Sequence, residues 1–223
     1  MPGTTGTYRS ATSSADVLLD DAGRAGREAT KRAMRERIRA ERRLRTPEER
    51  ERDAETLTEV LLELPEVAAS GCVAAYASTR DEPDTQHLRA TLRRLGVRVL
   101  LPICSDDGTL DWAEDDGPLR PGRGPGGPEP GGPRLGREGV RQATVVLAPA
   151  LAVDTLGHRL GQGGGFYDRT LRLLHASVPV LALVHDGEVL DAAVEPVPSG
   201  PHDEPVDAAV TPRRYLRLGL SPS

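Results

Sequence analysis

The sequence predicts an α/β fold, a mostly parallel sheet covered by helices, and three observations carry that expectation. Short apolar runs at residues 72–77, 97–104, 144–153 and 178–184 lack strict alternation, as strands buried on both faces do. Helix-like stretches at 84–95 and 167–175 separate them, and strand and helix in alternation is the pattern of parallel sheets. A glycine-rich loop then lies between a strand and a helix, and in such sheets ligands bind where loops leave the carboxyl ends of strands.

Taken in order, residues 1–27 mix Ser, Thr, Gly, Ala and Asp without a sustained period, and are expected to form a flexible extension ahead of a single domain spanning 28–223. Residues 28–45 are densely charged with helical spacing. Thr46, Pro47, Glu48 and Glu49 then supply an N-cap, a proline at the first helical position and acidic first-turn residues, so a second helix is expected from 47 to about 64. Residues 110–112 make a short strand candidate. Residues 117–139 are dense in glycine and proline and predict a loop, either a lid or a linker. Residues 207–211 suit a last short strand.

Composition narrows the function. A chain of 223 residues with 37% hydrophobic content can bury one sizeable core. Its formal net charge of -5 argues against a nucleic-acid surface, so any bound anion must be met by a local cluster of cations. The apolar stretches are too short to span a bilayer and no apolar segment follows a basic one at the N-terminus, so a cytoplasmic protein without membrane contact is expected. Cys72 and Cys104 sit in apolar runs without metal or redox spacing and read as reduced thiols. Of the 29 basic residues only Lys31 is a lysine, which hints that an ammonium is wanted there.

The chemistry concentrates in Arg159-Leu160-Gly161-Gln162-Gly163-Gly164-Gly165-Phe166-Tyr167-Asp168-Arg169. Four glycines in five residues let the backbone approach a polyanion and turn its N–H groups inward, while Arg159 and Arg169 add full charge. No Gly-Lys-Ser/Thr ends the loop, and Phe166 stands where a dinucleotide fingerprint needs its last glycine, so both common phosphate motifs are excluded. A turn whose glycines only permit tight packing is the rival explanation.

This stretch resembles the signature of the 5-formyltetrahydrofolate cyclo-ligase family, approximately Arg-Leu-Gly-Tyr/Arg-Gly-x-Gly-Tyr-Tyr-Asp, with Gln162 and Phe166 as departures. Ordered partners accompany it: Lys31 to Arg35 resembles an N-terminal Lys-x-x-x-Arg, and 76–78 with 81–85 resembles a substrate-binding stretch. Leu110-Asp111-Trp112, the Glu129-Pro130 end of a loop, and 202–211 match further family segments. The resemblance covers about residues 28–212 and implies a three-layer sheet of the type also used by sugar-phosphate isomerases and coenzyme A transferases. It implies ATP-dependent conversion of 5-formyltetrahydrofolate to 5,10-methenyltetrahydrofolate by a monomer whose partners are small molecules, folate and ATP.

By the same resemblance, Tyr167 and Arg159 are the catalytic residues. ATP is expected at Lys31, Arg35, Arg159, Leu160, Gly161, Gln162, Gly163, Gly164, Gly165, Phe166 and Tyr167. Folate is expected at Ala77, Glu82, Trp112 and Tyr167, and Mg2+ on Asp168 and Asp203. Residue chemistry leaves rivals open: Glu82 could cap the following helix, Trp112 could be core, and either aspartate could cap a turn. A non-catalytic module sensing a nucleotide or sugar phosphate is the alternative function.

Overall fold

The computed structural model describes residues 14–122 and 126–219, with only the backbone of 14–22. The main sheet has seven strands in the order β10-β9-β7-β4-β1-β2-β3. Its centre comprises β1 (Cys72–Ala74), β2 (Arg98–Cys104), β4 (Val145–Pro149), β7 (Val180–Leu183) and β9 (Ala208–Val210), all parallel to one another. The edges β3 (Leu110–Glu114) and β10 (Tyr215–Arg217) are antiparallel. Each expected strand run contributes to this mixed α/β fold, and both faces are buried as their composition requires. Val146, Ala148 and Ala182 pack on one side, and Val145, Leu147 and Leu181 on the other.

Helix α2 (Pro47–Glu63) starts where its capping residues put it. Thr46 Oγ1 accepts the Glu49 N–H at 3.2 Å and Glu49 Oε2 accepts the Thr46 N–H at 2.8 Å. With α3 (Pro65–Ala68) and α4 (Gln86–Arg94) it covers the face carrying Val73, Val99, Leu101 and Leu147, against which Leu57, Leu61, Leu88 and Leu92 pack. Helix α5 (Phe166–Leu171) packs on the opposite face through Leu171. Strand β1 therefore leads through α4 to β2 on one side and has β4 on the other, leaving a switch point between β1 and β4.

Three findings differ from the expectations. Helix α1 (Ser14–Arg43) begins inside the segment assigned to an extension, so 14–27 are helical, while 1–13 lie outside the described residues. The run at 144–153 is two strands, because Pro149 has no N–H with which to continue a ladder. Its second half, β5 (Ala152–Asp154), joins β6 (Arg159–Leu160) and β8 (Val189–Leu190) in a separate three-stranded sheet. The last helix also stops at Leu171 rather than 175.

Helix α1 packs on that small sheet, not on the main one. Lys31, Met34, Ile38 and Arg42 form its buried stripe at helical spacing, with Met34 and Ile38 against Leu151, Ala152, Leu160, Leu190 and Val197. At its end Arg42 enters a buried network. Its Nε and Nη2 hold the two Glu188 oxygens at 2.7 and 2.8 Å, and Nη2 also donates to the Ala150 carbonyl at 2.7 Å. Burial disfavours the Arg42 charge, yet the hydrogen bond and charge of Glu188, with smaller contributions from Tyr76 and Glu82, together outweigh it and raise the guanidinium pKa. Nearby His185 is buried among Arg45, Arg42 and Arg50; burial first, then these cations, lower its pKa to about 3.

Two predictions follow from this network. Glu188→Ala leaves Arg42 buried without its carboxylate and should lower unfolding free energy by about 3–5 kcal/mol in denaturant titrations. Because His185 stays neutral when folded and gains a proton when unfolded, it makes stability fall as pH drops from about 6.5 towards 3. His185→Gln should flatten that dependence by up to about 1.4 kcal/mol per pH unit, measured as unfolding free energy from pH 7 to 4.

Candidate active site

A cavity of about 620 Å³ opens beyond the carboxyl ends of the central strands. Tyr76 following β1, Pro102 and Cys104 at the end of β2, and Pro149 at the end of β4 line its floor, which puts it at the switch point. The glycine loop between β6 and α5 forms one wall and helix α1 the roof. The loop at 117–139, expected as a lid or linker, supplies Gly126 and Glu129 as another wall. Arg120 and Glu129 clasp it by exchanging both backbone hydrogen bonds at 2.8 Å.

The loop is held by arginines on both sides. Arg35 Nε donates to the Gly161 carbonyl at 2.9 Å, and Arg39 donates to Gln162 Oε1 at 2.6 Å and to the Gln162 carbonyl at 3.2 Å. Arg169 donates to the carbonyls of Gly164, at 2.7 Å, and Gly108, and its guanidinium lies 5.5 Å from the Phe166 ring centroid. Gly165 adopts φ +66° at the start of α5, a left-handed conformation that favours glycine. At Gly164 an added methyl would lie 2.6 Å from the Phe166 ring.

Of the expected nucleotide residues, Lys31, Arg35, Arg159, Leu160, Gly161, Gln162, Gly163, Gly164, Gly165, Phe166 and Tyr167 all line this one cavity. The Leu160 side chain is nevertheless core, packed under α1. Lys31 Nζ bonds Asp203 Oδ2 at 2.6 Å, and Gly200 N–H bonds the same oxygen at 2.7 Å. Partial burial works against the Asp203 charge, but Lys31 and the Gly200 amide prevail and hold its carboxyl below the usual range. Asp168 Oδ1 accepts from Arg159 Nη2 at 2.8 Å and from the Glu204 N–H at 3.3 Å. Each aspartate thus has one oxygen engaged and one without a hydrogen-bond partner among the described residues. Among those residues no group of three His, Cys, Asp or Glu side chains is arranged to hold a metal by itself.

At the other end, Glu82 lines the cavity with Oε2 held by the Thr79 N–H and hydroxyl at 2.9 and 2.8 Å. Asp84, not Glu82, bonds the first amide of α4, through Gln86 N–H at 2.7 Å. The Tyr167 hydroxyl is buried and has no hydrogen-bond partner among the described residues. Burial, followed by the charge of Glu82, drives that phenol well above its ordinary pKa, so it remains an O–H donor. Arg159 lies 5.8 Å from the same ring, with its Nε also unpartnered.

Two expected folate contacts are corrected. Trp112 has no exposed surface and does not line the cavity; its ring belongs to the main core, beside Gly139. Ala77 is also buried outside the cavity lining, against the loop at Gly127. Sequence reasoning missed Arg39, although 31, 35 and 39 repeat at a spacing of four on α1. It also missed Tyr76, Cys104 and Glu129 as cavity residues.

A cation-lined, glycine-walled cavity at the switch point of a parallel sheet defines a class, the α/β proteins that bind a phosphorylated ligand between loops. Similarity gives the family. The sequence pattern of the 5-formyltetrahydrofolate cyclo-ligase family matches residues 27–212. A 5-formyltetrahydrofolate cyclo-ligase of Mycolicibacterium smegmatis is 42% identical over 153 residues, covering 65% of this chain and 75% of the relative. That of Escherichia coli K12 is 32% identical over 185 residues, 79% of this chain and 97% of the relative. The solution structure of Aquifex aeolicus 5,10-methenyltetrahydrofolate synthetase superposes with a TM-score of 0.71 at 28% identity, covering 86% of this chain and 95% of that one. This chain belongs to the 5-formyltetrahydrofolate cyclo-ligase family, and it is an enzyme of the ligase class.

Proposed function

We propose that this chain closes 5-formyltetrahydrofolate to 5,10-methenyltetrahydrofolate with ATP as co-substrate, in the cavity between α1, the glycine loop and the Glu82 segment. The observation that carries the assignment of roles is the Tyr167 hydroxyl, a buried donor with no partner among the described residues, standing between a basic wall and Glu82. A buried polar group of that kind is costly unless a ligand satisfies it, and a formyl oxygen is a matching acceptor.

In this reading Lys31, Arg35 and Arg159, with the loop amides, hold the triphosphate. The formyl oxygen attacks the γ-phosphorus and the bond to ADP breaks, giving a phosphorylated imidate-like carbon. N10 then attacks that carbon, loses its proton, and phosphate leaves with the former formyl oxygen. The substrate supplies both attacking atoms, so the chain's work is alignment and charge neutralisation. Tyr167 orients the formyl group, Arg159 fixes the Tyr167 ring and Asp168, and Glu82 pairs with N–H donors of the pterin.

The free oxygens of Asp168 and Asp203 fit a magnesium ion that takes its other ligands from phosphates and water, the usual arrangement for a cation that dehydrates reluctantly. Bound there, the ion would offset charge moving onto the leaving oxygen. Helices on both faces of the main sheet support the three-layer likeness to sugar-phosphate isomerases and coenzyme A transferases. A monomer in a cytoplasmic setting completes the proposal, and free Cys72 and Cys104 support that setting.

The test is to mix protein, Mg-ATP and 5-formyltetrahydrofolate and follow the ultraviolet absorbance of the methenyl product; folded protein giving no ATP-dependent signal would refute the reading. Asp168→Asn keeps an oxygen for Arg159 but loses the charge, and turnover should fall on the order of a hundredfold; unchanged kcat would reduce Asp168 to a structural partner of Arg159. Lys31→Ala should raise the KM for ATP while leaving that for folate nearly constant, and the opposite pattern would show the nucleotide end is misplaced.

A further inference from the structure

The two ends of the cavity differ in how their carboxylates are satisfied. Asp168 and Asp203 each face a cation, Arg159 and Lys31. Glu82 and Glu129 also line the cavity, yet among the described residues neither forms an ion pair. Both are held from behind by a backbone amide. Glu82 Oε2 takes the Thr79 N–H, and Glu129 Oε1 takes the Cys104 N–H at 3.0 Å, where β2 ends. Each keeps its second oxygen without a hydrogen-bond partner among the described residues.

The two glutamates are also braced together. Gly127 has φ +81°, and a methyl there would lie 3.0 Å from the Ala77 carbonyl oxygen and 2.9 Å from Thr79 Cγ2. The loop bearing Glu129 is therefore seated on the segment whose Thr79 orients Glu82. The arrangement fixes two acceptor-only groups on the side of the cavity where the Tyr167 phenol feels the charge of Glu82.

We propose that Glu129 is a second substrate-binding carboxylate, which with Glu82 recognises a heterocycle presenting a row of N–H donors, the pterin of the folate. The proposal rests on the reading of the cavity as a cyclo-ligase site. Two partly buried carboxylates without ion pairs are unfavourable, and a donor-rich ring satisfies both at once. The adenine amino group is the competing donor, and it is assigned away from these glutamates because Lys31 and Arg35, two of the cations assigned to phosphate, belong to α1 and Arg35 is bonded to the glycine loop at Gly161, whereas the glutamates are held at Thr79 and Cys104.

Glu129→Gln retains an oxygen for the Cys104 amide and tests the charge; Glu129→Leu removes both. Glu129→Gln should raise the KM for 5-formyltetrahydrofolate roughly tenfold and Glu129→Leu further, with the KM for ATP within about twofold and melting of the Gln variant unchanged. Calorimetric titration of 5-formyltetrahydrofolate without nucleotide should show the same loss. An unchanged folate KM in both variants overturns the proposal, as does a rise confined to ATP, which would mean base recognition. An equal rise in both constants with lowered melting also overturns it, since that is the signature of a loop prop. If the wild-type enzyme itself makes no methenyl product, the cyclo-ligase reading fails; active wild type with indifferent variants sinks only the role of Glu129.

Discussion

The arrangement of this molecule depends on the seating of helix α1, and that seating depends on the Arg42 guanidinium. Arg42 joins Glu188 and the Ala150 carbonyl, so the helix is tied to both the exit of β4 and the small sheet. Among the described residues of α1, Met34 and Ile38 are the large apolar side chains in the core beneath it, and Arg42 adds a buried directional anchor to them. With Arg42 fixed, the adjacent stripe at 31, 35 and 39 hangs over the glycine loop. A displacement of one helical turn would carry those cations about 5.4 Å from their partners.

The loop bridges two sheets, because β6 belongs to the small sheet and α5 packs on the large one. Its glycines give the backbone freedom, and the arginines around it remove that freedom again. Arg35, Arg39 and Arg169 each bind a loop carbonyl, fixing a shape that the sequence Gly-Gln-Gly-Gly-Gly could not hold alone. Carbonyls turned toward arginines leave the opposite side of the peptide units for a bound anion.

Much of this was legible in the residues. The apolar runs at 97–104 and 178–184 hold strands, Arg98–Cys104 and Val180–Leu183, because they can bury both faces, and the cap at Thr46 to Glu49 fixed the start of α2. The loop and its partners Lys31, Glu82, Asp168 and Asp203 converge on one cavity. Trp112 misled because a lone aromatic beside a predicted site has the same spelling whether it stacks on a ligand or fills a core; only the pleat of β3 decides, and it turns the ring inward. The small sheet was invisible because its strands are two or three residues long and pair non-locally. Glu129 was hidden by the irregular glycine and proline spacing of its loop.

The Lys31–Asp203 pair has a consequence for how anything enters the basic end. With ammonium and carboxylate neutralising one another, Lys31 does not face the cavity as a bare positive charge. On the proposed reading, an incoming polyphosphate wins the lysine from an existing partner, so association at Lys31 is an exchange of hydrogen bonds rather than an addition. On the proposed reading, a nucleotide polyphosphate displaces a carboxylate to reach Lys31, while it meets Arg39, which forms no ion pair among the described residues, without that cost.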